Sequence, residues 1–585
     1  MVMKPNMKIF DSMKKILYIP IAAILTASCS FLDPDPNVLT DYYTSEKDVL
    51  YGLAGIYGAL GTEALYGNVY SQMASNCDDL CYYNRDGSSE RLQQYLYDPT
   101  TSYITEIWQK LYKGIDNANR FLEAIEGSKF ETKDLMAEAR FLRAYFHFLG
   151  AQSFGDIPLK KKSNVHIDKI DDLYCEATPQ ADILRWVISE MENALENISV
   201  AASDNAPSRV SGPAIAGVLA RVCLFTAGES VKGVDEAEKT ELLKKAQKYA
   251  GIVIATDRHR LNPDYSQVFI NMISDVYDKE YFESIWEVDF IGHRETAEQW
   301  TNGRIGDVIG LQCSISGNYD DTECNYSYGM YNGSLKLWDL YWREDRIADE
   351  VEKLNDVRQE WNLPPYNYAG KGKVEEPSKY VRAGFKTPYT YDKMTTLEND
   401  PALAVDAKLT YNPAAAQAVR NAGKFRREVR YEGKVDAKRL YTNINYPLLR
   451  YSDVLLMYAE ATNELDGPTS GAYAAVVQVR ERAGIKTKEL AEYDQDSFRE
   501  LVRNERGREL CFESLRKYDL IRWGIFVEAM HSYAEQTADD RWSKNAAMAL
   551  RARTYGTNVE ERHIYLPIPS VELGVNSKLK QNPLW

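Results

Sequence analysis

The sequence predicts a mainly α-helical protein in which paired helices form a scaffold that carries one long irregular insertion. Three observations predict it. Apolar and aromatic residues recur at three- and four-residue spacing through most of the chain outside residues 256–445. Within 256–445 the pattern lapses into Gly-, Asn- and Tyr-rich stretches with only short helical runs. The 585 residues are 44% hydrophobic and 27% charged, the balance of a folded protein rather than a disordered one.

In chain order, Met13-Lys14-Lys15 opens a basic segment before the ten-residue apolar run Ile16–Leu25, too short to span a bilayer and suited to a signal-peptide core. Leu25-Thr26-Ala27-Ser28-Cys29 follows and is similar to a bacterial lipobox, with Leu25 four places before the cysteine. Residues 1–28 are thus expected to be a lipoprotein signal, Cys29 the acylated residue, and 29–43 a Pro/Asp-rich lipidated tether. Ser45 and Asp48 form a capping box for a helix bearing Leu50, Leu53, Tyr57 and Leu60. Helices are predicted at 103–126 and from Thr132 to Gly155, then at about 178–197, 213–228 and 235–255. After the insertion come 447–465, 470–483, 497–515 and 522–534, the pairs resembling tetratricopeptide hairpins without a strict period. The expected units are an N-terminal helical part (44–255), an irregular ligand-binding insertion (256–445) and a C-terminal helical part (446–585). Within the insertion, Ser284–Phe290 alternates like a strand, and Trp286 and Trp338 are assigned to the core.

The net charge of −16, from 86 acidic and 70 basic residues, argues against a nucleic-acid binder. Six scattered His, no HExxH and no CxxC give no zinc site, and nothing calls for a cofactor. Export would place the cysteines in an oxidising compartment, where either Cys77/Cys81 or Cys313/Cys324 suits a disulfide. Cys223 and Cys511, within apolar helical patterns, read as buried thiols. Forty-one Tyr, with 10 Trp and 17 Phe, supply many rings that are apolar on the face and polar at the tip, suited to gripping a polar ligand.

Five separated blocks carry a family resemblance. They are Trp108–Tyr112 leading to Asn117-Ala118-Asn119; Glu138–Tyr145 running on to Phe154–Leu159; Leu449–Ala461; Arg508–Glu513 followed by Tyr518–Gly524; and Tyr565–Pro569 ending in Gln581-Asn582-Pro583. Their order and spacing resemble the SusD/RagB family of outer-membrane nutrient-binding lipoproteins over nearly the whole mature chain. The resemblance implies four tetratricopeptide-like helix pairs and a ligand site on the irregular insertion. It also implies a partner, a SusC-like TonB-dependent outer-membrane transporter, to which the lipoprotein passes an oligosaccharide without breaking a bond. Localisation would then be the cell surface, anchored in the outer membrane through Cys29.

The charged residues of these blocks (Arg140, Arg143, Arg450, Asp453, Glu460, Glu509, Glu513, Arg516, Asp519 and Arg522) sit three or four apart on apolar-striped helices and are read as structural pairs. Ligand contacts are expected elsewhere, where rings for sugar faces accompany amides and charges for hydroxyls. One zone offers Asn76, Asp78, Asp79, Tyr82, Tyr83, Asn84 and Arg85; the other offers Trp300, Asn302, Asn318, Tyr319, Asn325, Tyr326, Tyr328 and Tyr331. Two alternatives stand beside the glycan reading. Asp78, Asp79 and Arg85 would suit a peptide-binding, RagB-like subunit. A glycoside hydrolase needs a carboxylate pair, which so acidic a chain meets trivially, while no nucleophile or phosphate-loop motif is present.

Overall fold

The computed structural model describes residues 43–85, 92–164, 174–199, 206–290, 303–313, 324–342, 356–364, 366–368, 386–388, 419–433, 440–542 and 546–585. The capping box at Ser45 forms as expected, with Asp48 returning the bond to the Ser45 backbone, and starts α1 (Glu46–Leu60). The amphipathic stripe of 103–126 becomes α2 (Ser102–Ile125), burying Ile107, Trp108, Leu111 and Ile115. Thr132 caps α3 (Lys133–Phe154), which ends at Gly155, whose φ of +74° is a left-handed conformation that glycine adopts without strain. Next come α4 (Gln180–Asn197), α5 (Gly212–Thr226) and α6 (Glu236–Ala255), each within a few residues of its predicted span. Each helix from α1 to α6 packs on the next.

The insertion holds α7 (Tyr265–Ile273) and α8 (Leu335–Trp342) and four of the six described strands, and all six lie in two-stranded antiparallel pairs. β1 (Cys81–Tyr83) pairs with β3 (Tyr331–Gly333), and β4 (Tyr366–Tyr368) pairs with β5 (Lys386–Pro388). The expected strand β2 (Ser284–Val288) pairs with β6 (Tyr446–Arg450), joining the two ends of the insertion. Trp286 lies between them and the helices, edge-on to Phe141 and Tyr145 at 5.2 and 4.8 Å, and is fully buried; Trp338 is buried as well.

The C-terminal part begins where β6 hands over to α9 (Tyr451–Asp466), so the first five residues of the predicted 447–465 helix are mostly strand. There follow α10 (Ser470–Arg482), α11 (Gln495–Leu510), α12 (Arg516–Arg522), α13 (Phe526–Glu535) and α14 (Ala546–Thr557). The sequence reading missed α12 as a separate helix and missed α14, which buries only Ala552, Tyr555 and Gly556 and so has almost no apolar stripe. α9 packs against α6, so the helical parts on either side of the insertion share one core. Among the described residues no helix is long and apolar enough to cross a membrane. The disulfide joins Cys313 and Cys324, whereas Cys77 and Cys81 are buried free thiols, as are Cys223 and Cys511.

At the seam between insertion and helices lies a buried ionic network. Arg450 donates to both oxygens of Glu513 at 2.8 Å, to Glu509 at 3.0 Å and to Glu283 at 2.8 Å. Arg482 bonds Glu509 at 2.6 Å, and Arg358 bridges Glu505, Glu509 and Asp356. Lys424 reaches Glu513 at 2.6 Å, and every one of these side chains is almost wholly buried. A second cluster joins Arg506 to Asp453 and Asp519, and Arg522 to Glu460 and Asp519. The charges read from sequence as helical pairs are therefore structural, and apart from Asp519–Arg522 within α12 their pairs named here act between segments.

Burial raises the carboxylates of both clusters, but the adjacent cations win: Glu505, Asp453 and Glu460 are each lowered to about 2, against ordinary values of 4.5, 3.8 and 4.5. A depressed folded-state pKa contributes stability that is complete above the unfolded value and lost as pH falls toward the folded one. In urea titrations the stability that these three carboxylates contribute should therefore be complete down to about pH 5 and be lost between about pH 4.5 and 2. Arg450→Met, which strands buried carboxylates, should cost about 3–5 kcal/mol in the same assay. A loss below about 1 kcal/mol would mean that the network is dispensable.

Candidate functional site

The two zones expected to hold the ligand do meet, through β1 and β3. The register sets Tyr82 opposite Asn332 and Tyr83 opposite Tyr331, and the Asn84 amide extends the ladder by donating to the Met330 carbonyl at 2.9 Å. Most of the predicted contact residues of the first zone are nevertheless core. Asn76, Asp78, Asp79, Tyr82 and Tyr83 are at most 2% exposed, a correction to the sequence expectation. Asp79 takes two bonds from Arg516, at 2.9 and 3.0 Å, and an ion pair from Lys336 at 2.6 Å. These cations hold its carboxyl well below the usual range. Asp78 accepts from the Leu80 backbone at 2.8 Å, and burial beside Asp79 pushes it up to about 7. Tyr82 packs on Trp542 and takes a bond from the Asn332 amide; Tyr83 stands edge-on to Tyr331, itself fully buried. Asn84 and Asn325 are likewise buried, each bonded into the loop framework.

What stays at the surface is a small aromatic platform. Tyr326 and Tyr328 lie on one loop, two residues apart, with centroids 5.1 Å apart and planes at 83°; Tyr328 is 37% exposed and Tyr326 partly so. Their backbone is fixed from below. The Tyr328 amide donates to the Asp307 carboxylate at 3.1 Å, and Asp307, fully buried, is paired with Arg304 at 2.6 Å. Burial raises Asp307 despite that pairing. Arg427 donates to the Tyr326 carbonyl at 2.7 Å while paired with Glu432. Arg85 donates to the Tyr328 carbonyl, and desolvation with the nearby Arg551 lowers its pKa from a very high starting point, so it remains a cation. Next to the rings, Gly329 has a φ of +52°, and a Cβ there would sit 2.7 Å from the Gln312 amide nitrogen. Glycine thus lets the loop lie directly on the 310–312 backbone.

The disulfide Cys313–Cys324 and the paired bonds between Cys313 and Ser327 hold the base of the same loop. Trp300, Asn302, Asn318 and Tyr319 lie outside the described residues, as does Cys29. Sequence reasoning missed Asp307, Arg304 and Arg427, the groups that position the rings. The one local signal for them is the i,i+3 spacing of Arg304 and Asp307.

A family model described as the SusD family matches residues 282–585, and a second, described as starch-binding associating with outer membrane, matches residues 31–224. A SusD-like protein of Formosa agariphila, P25, is 27% identical, with 97% of this chain and 98% of the relative covered. The crystal structure of a SusD homolog from Bacteroides thetaiotaomicron has a TM-score of 0.75 at 24% identity, covering 94% of this chain and 99% of that one. Surface glycan-binding protein A from Bacteroides fluxus has a TM-score of 0.63 at 18% identity, covering 93% and 100%. With the fold, the seam of β2 and β6 and more than half of the chain accounted for in this way, the protein belongs to the SusD family.

Proposed function

We propose that this chain is a non-catalytic glycan-binding lipoprotein of the cell surface, anchored in the outer membrane through Cys29. It captures oligosaccharides and delivers them to a SusC-like TonB-dependent transporter. The observation that carries the reading is the Tyr326–Tyr328 pair: one exposed and one partly exposed ring on a loop whose described charged neighbours Asp307, Arg427 and Arg85 bond its backbone. Such a surface offers flat apolar faces for sugar C–H groups and two phenol tips for hydroxyls. The glycan-binding name of the Bacteroides fluxus neighbour and the starch-binding description matched at 31–224 support a sugar ligand.

Two of the three charges that suited a peptide ligand, Asp78 and Asp79, are in the core, and the third, Arg85, is tied to the Tyr328 carbonyl. That arrangement favours the glycan over the peptide. Trp300 and Tyr319, with Tyr326, Tyr328 and Arg85, complete the site in this reading. The lipid anchor and the transporter rest on the Cys29 context in the sequence and on family membership.

Tyr326→Ala and Tyr328→Ala should each weaken oligosaccharide binding about tenfold in titration calorimetry, with the melting temperature within about 2 °C of the parent. A double variant that binds as tightly as the parent would move the site elsewhere. Cys29→Ala should shift the protein from the membrane fraction to the soluble periplasmic fraction. Persistence in the membrane without acylation would refute the anchor.

A further inference from the structure

Apart from the aromatic platform, α1 and the β2 end enclose a groove of 400 Å³. One wall is apolar and comes from α1: Leu50, Leu53, Ala54 and Leu60, of which Leu50 is 50% exposed. The other wall is acidic. Glu287, in β2, and Asp289, just past its end, both line the groove. Glu287 is 5% exposed and its polar neighbours are neutral: the Asn445 amide donates to it at 3.0 Å and the Ser284 side chain lies beside it. Asp289 takes a bond on one oxygen from the Tyr277 hydroxyl at 2.6 Å, and its other oxygen is buried without a hydrogen-bond partner among the described residues.

Two adjacent carboxylates are an expensive thing to bury beside an apolar wall unless a cation joins them. Among the described residues the one basic side chain lining the groove is Arg209, and its guanidinium is held in two bonds by Glu138, at 2.7 and 3.1 Å. The other charged groups near the pair make the deficit larger: Asp275 lies close to both, and α1 contributes no charge to the groove. Among the described residues no cation joins the pair, and the space in front of it, 400 Å³, fits a chain of several carbons.

We propose that this groove is a binding site for an aliphatic ammonium ligand, whose alkyl stem lies on the Leu50–Leu53–Leu60 wall and whose head pairs with Glu287 and Asp289. The site stands apart from the glycan platform and does not depend on it. Burial and Asp289 push Glu287 up to about 7, so an unoccupied groove is half neutral near neutral pH, and the cation favours the ionised form. Affinity therefore rises with pH up to a plateau above the Glu287 value.

The test uses the full chain and n-hexylammonium as probe, with n-hexanol as its uncharged counterpart, followed by ligand-observed NMR and calorimetry. Hexylammonium should bind saturably at millimolar concentration, several-fold tighter at about pH 8 than at about pH 6. Glu287→Gln keeps the shape, removes the charge and should weaken hexylammonium at least tenfold while leaving hexanol unchanged. Ala54→Trp, on the exposed side of α1, should exclude both probes with the protein still folded by circular dichroism. Absence of saturable binding by the parent, or equal binding by the parent and Glu287→Gln, would overturn the proposal.

Discussion

The seam around Glu505, Glu509 and Glu513 is the constraint on which the rest of the structure hangs. These carboxylates project from α11 and the turn after it, and their cations arrive from four other places: Arg450 at the end of β6, Arg480 and Arg482 on α10, and Arg358 and Lys424 from the insertion. Each ion is expensive to desolvate, and an isolated pair in such a place would gain little over apolar packing. A complete set differs, because every carboxylate oxygen named here has a guanidinium or ammonium donor in reach. Removing any single cation leaves charge with nowhere to go. The network therefore demands that insertion and helices close together in one register, even where hydrophobic residues would fill the space as well.

The same principle recurs at smaller scale under the candidate site. Asp79 ties β1 to α12 through Arg516 and to α8 through Lys336, across 437 residues of sequence in the first case. Asp307 ties the Tyr328 amide to Arg304, and Glu432 ties Arg427 to the Tyr326 carbonyl. Charged side chains thus act as buried struts for the loop that carries Tyr326 and Tyr328. For the binding surface proposed above a rigid foundation matters, since each ring that must be immobilised on binding subtracts from the affinity it contributes.

What was legible in the sequence was local. The capping box at Ser45, the Thr132 cap, the stop at Gly155 and the stripe of α2 all depend on residues within one or two turns, and each appears where the pattern put it. The alternation of β2 was readable for the same reason. The polar run Asn76–Asp79 was misread because its burial depends on partners hundreds of residues away, and polarity alone looks like surface. Tyr326 and Tyr328 could be picked out as rings in a Gly/Asn-rich stretch, but nothing nearby announced that Tyr331 would turn inward to donate to the Gln72 carbonyl. The helical charges carried a mixed lesson: their spacing showed that they were structural, and concealed that they act between segments.

The arrangement of charge at the platform also bears on whether cargo is held or transformed. Hydrolysis of a glycosidic bond asks for two carboxyl groups facing the sugar across about 5–10 Å, one to protonate and one to attack or activate water. Among the described residues, Asp307 beneath the rings is fully buried and occupied by Arg304 on one side and by the Tyr328 amide on the other. Glu432 is equally buried and occupied by Arg427 and Asn325. Moving either into a catalytic position would dismantle the loop that presents the rings. Among the described residues, acidity at the platform is used to shape the surface: Asp307 and Glu432 hold the loop that presents the rings.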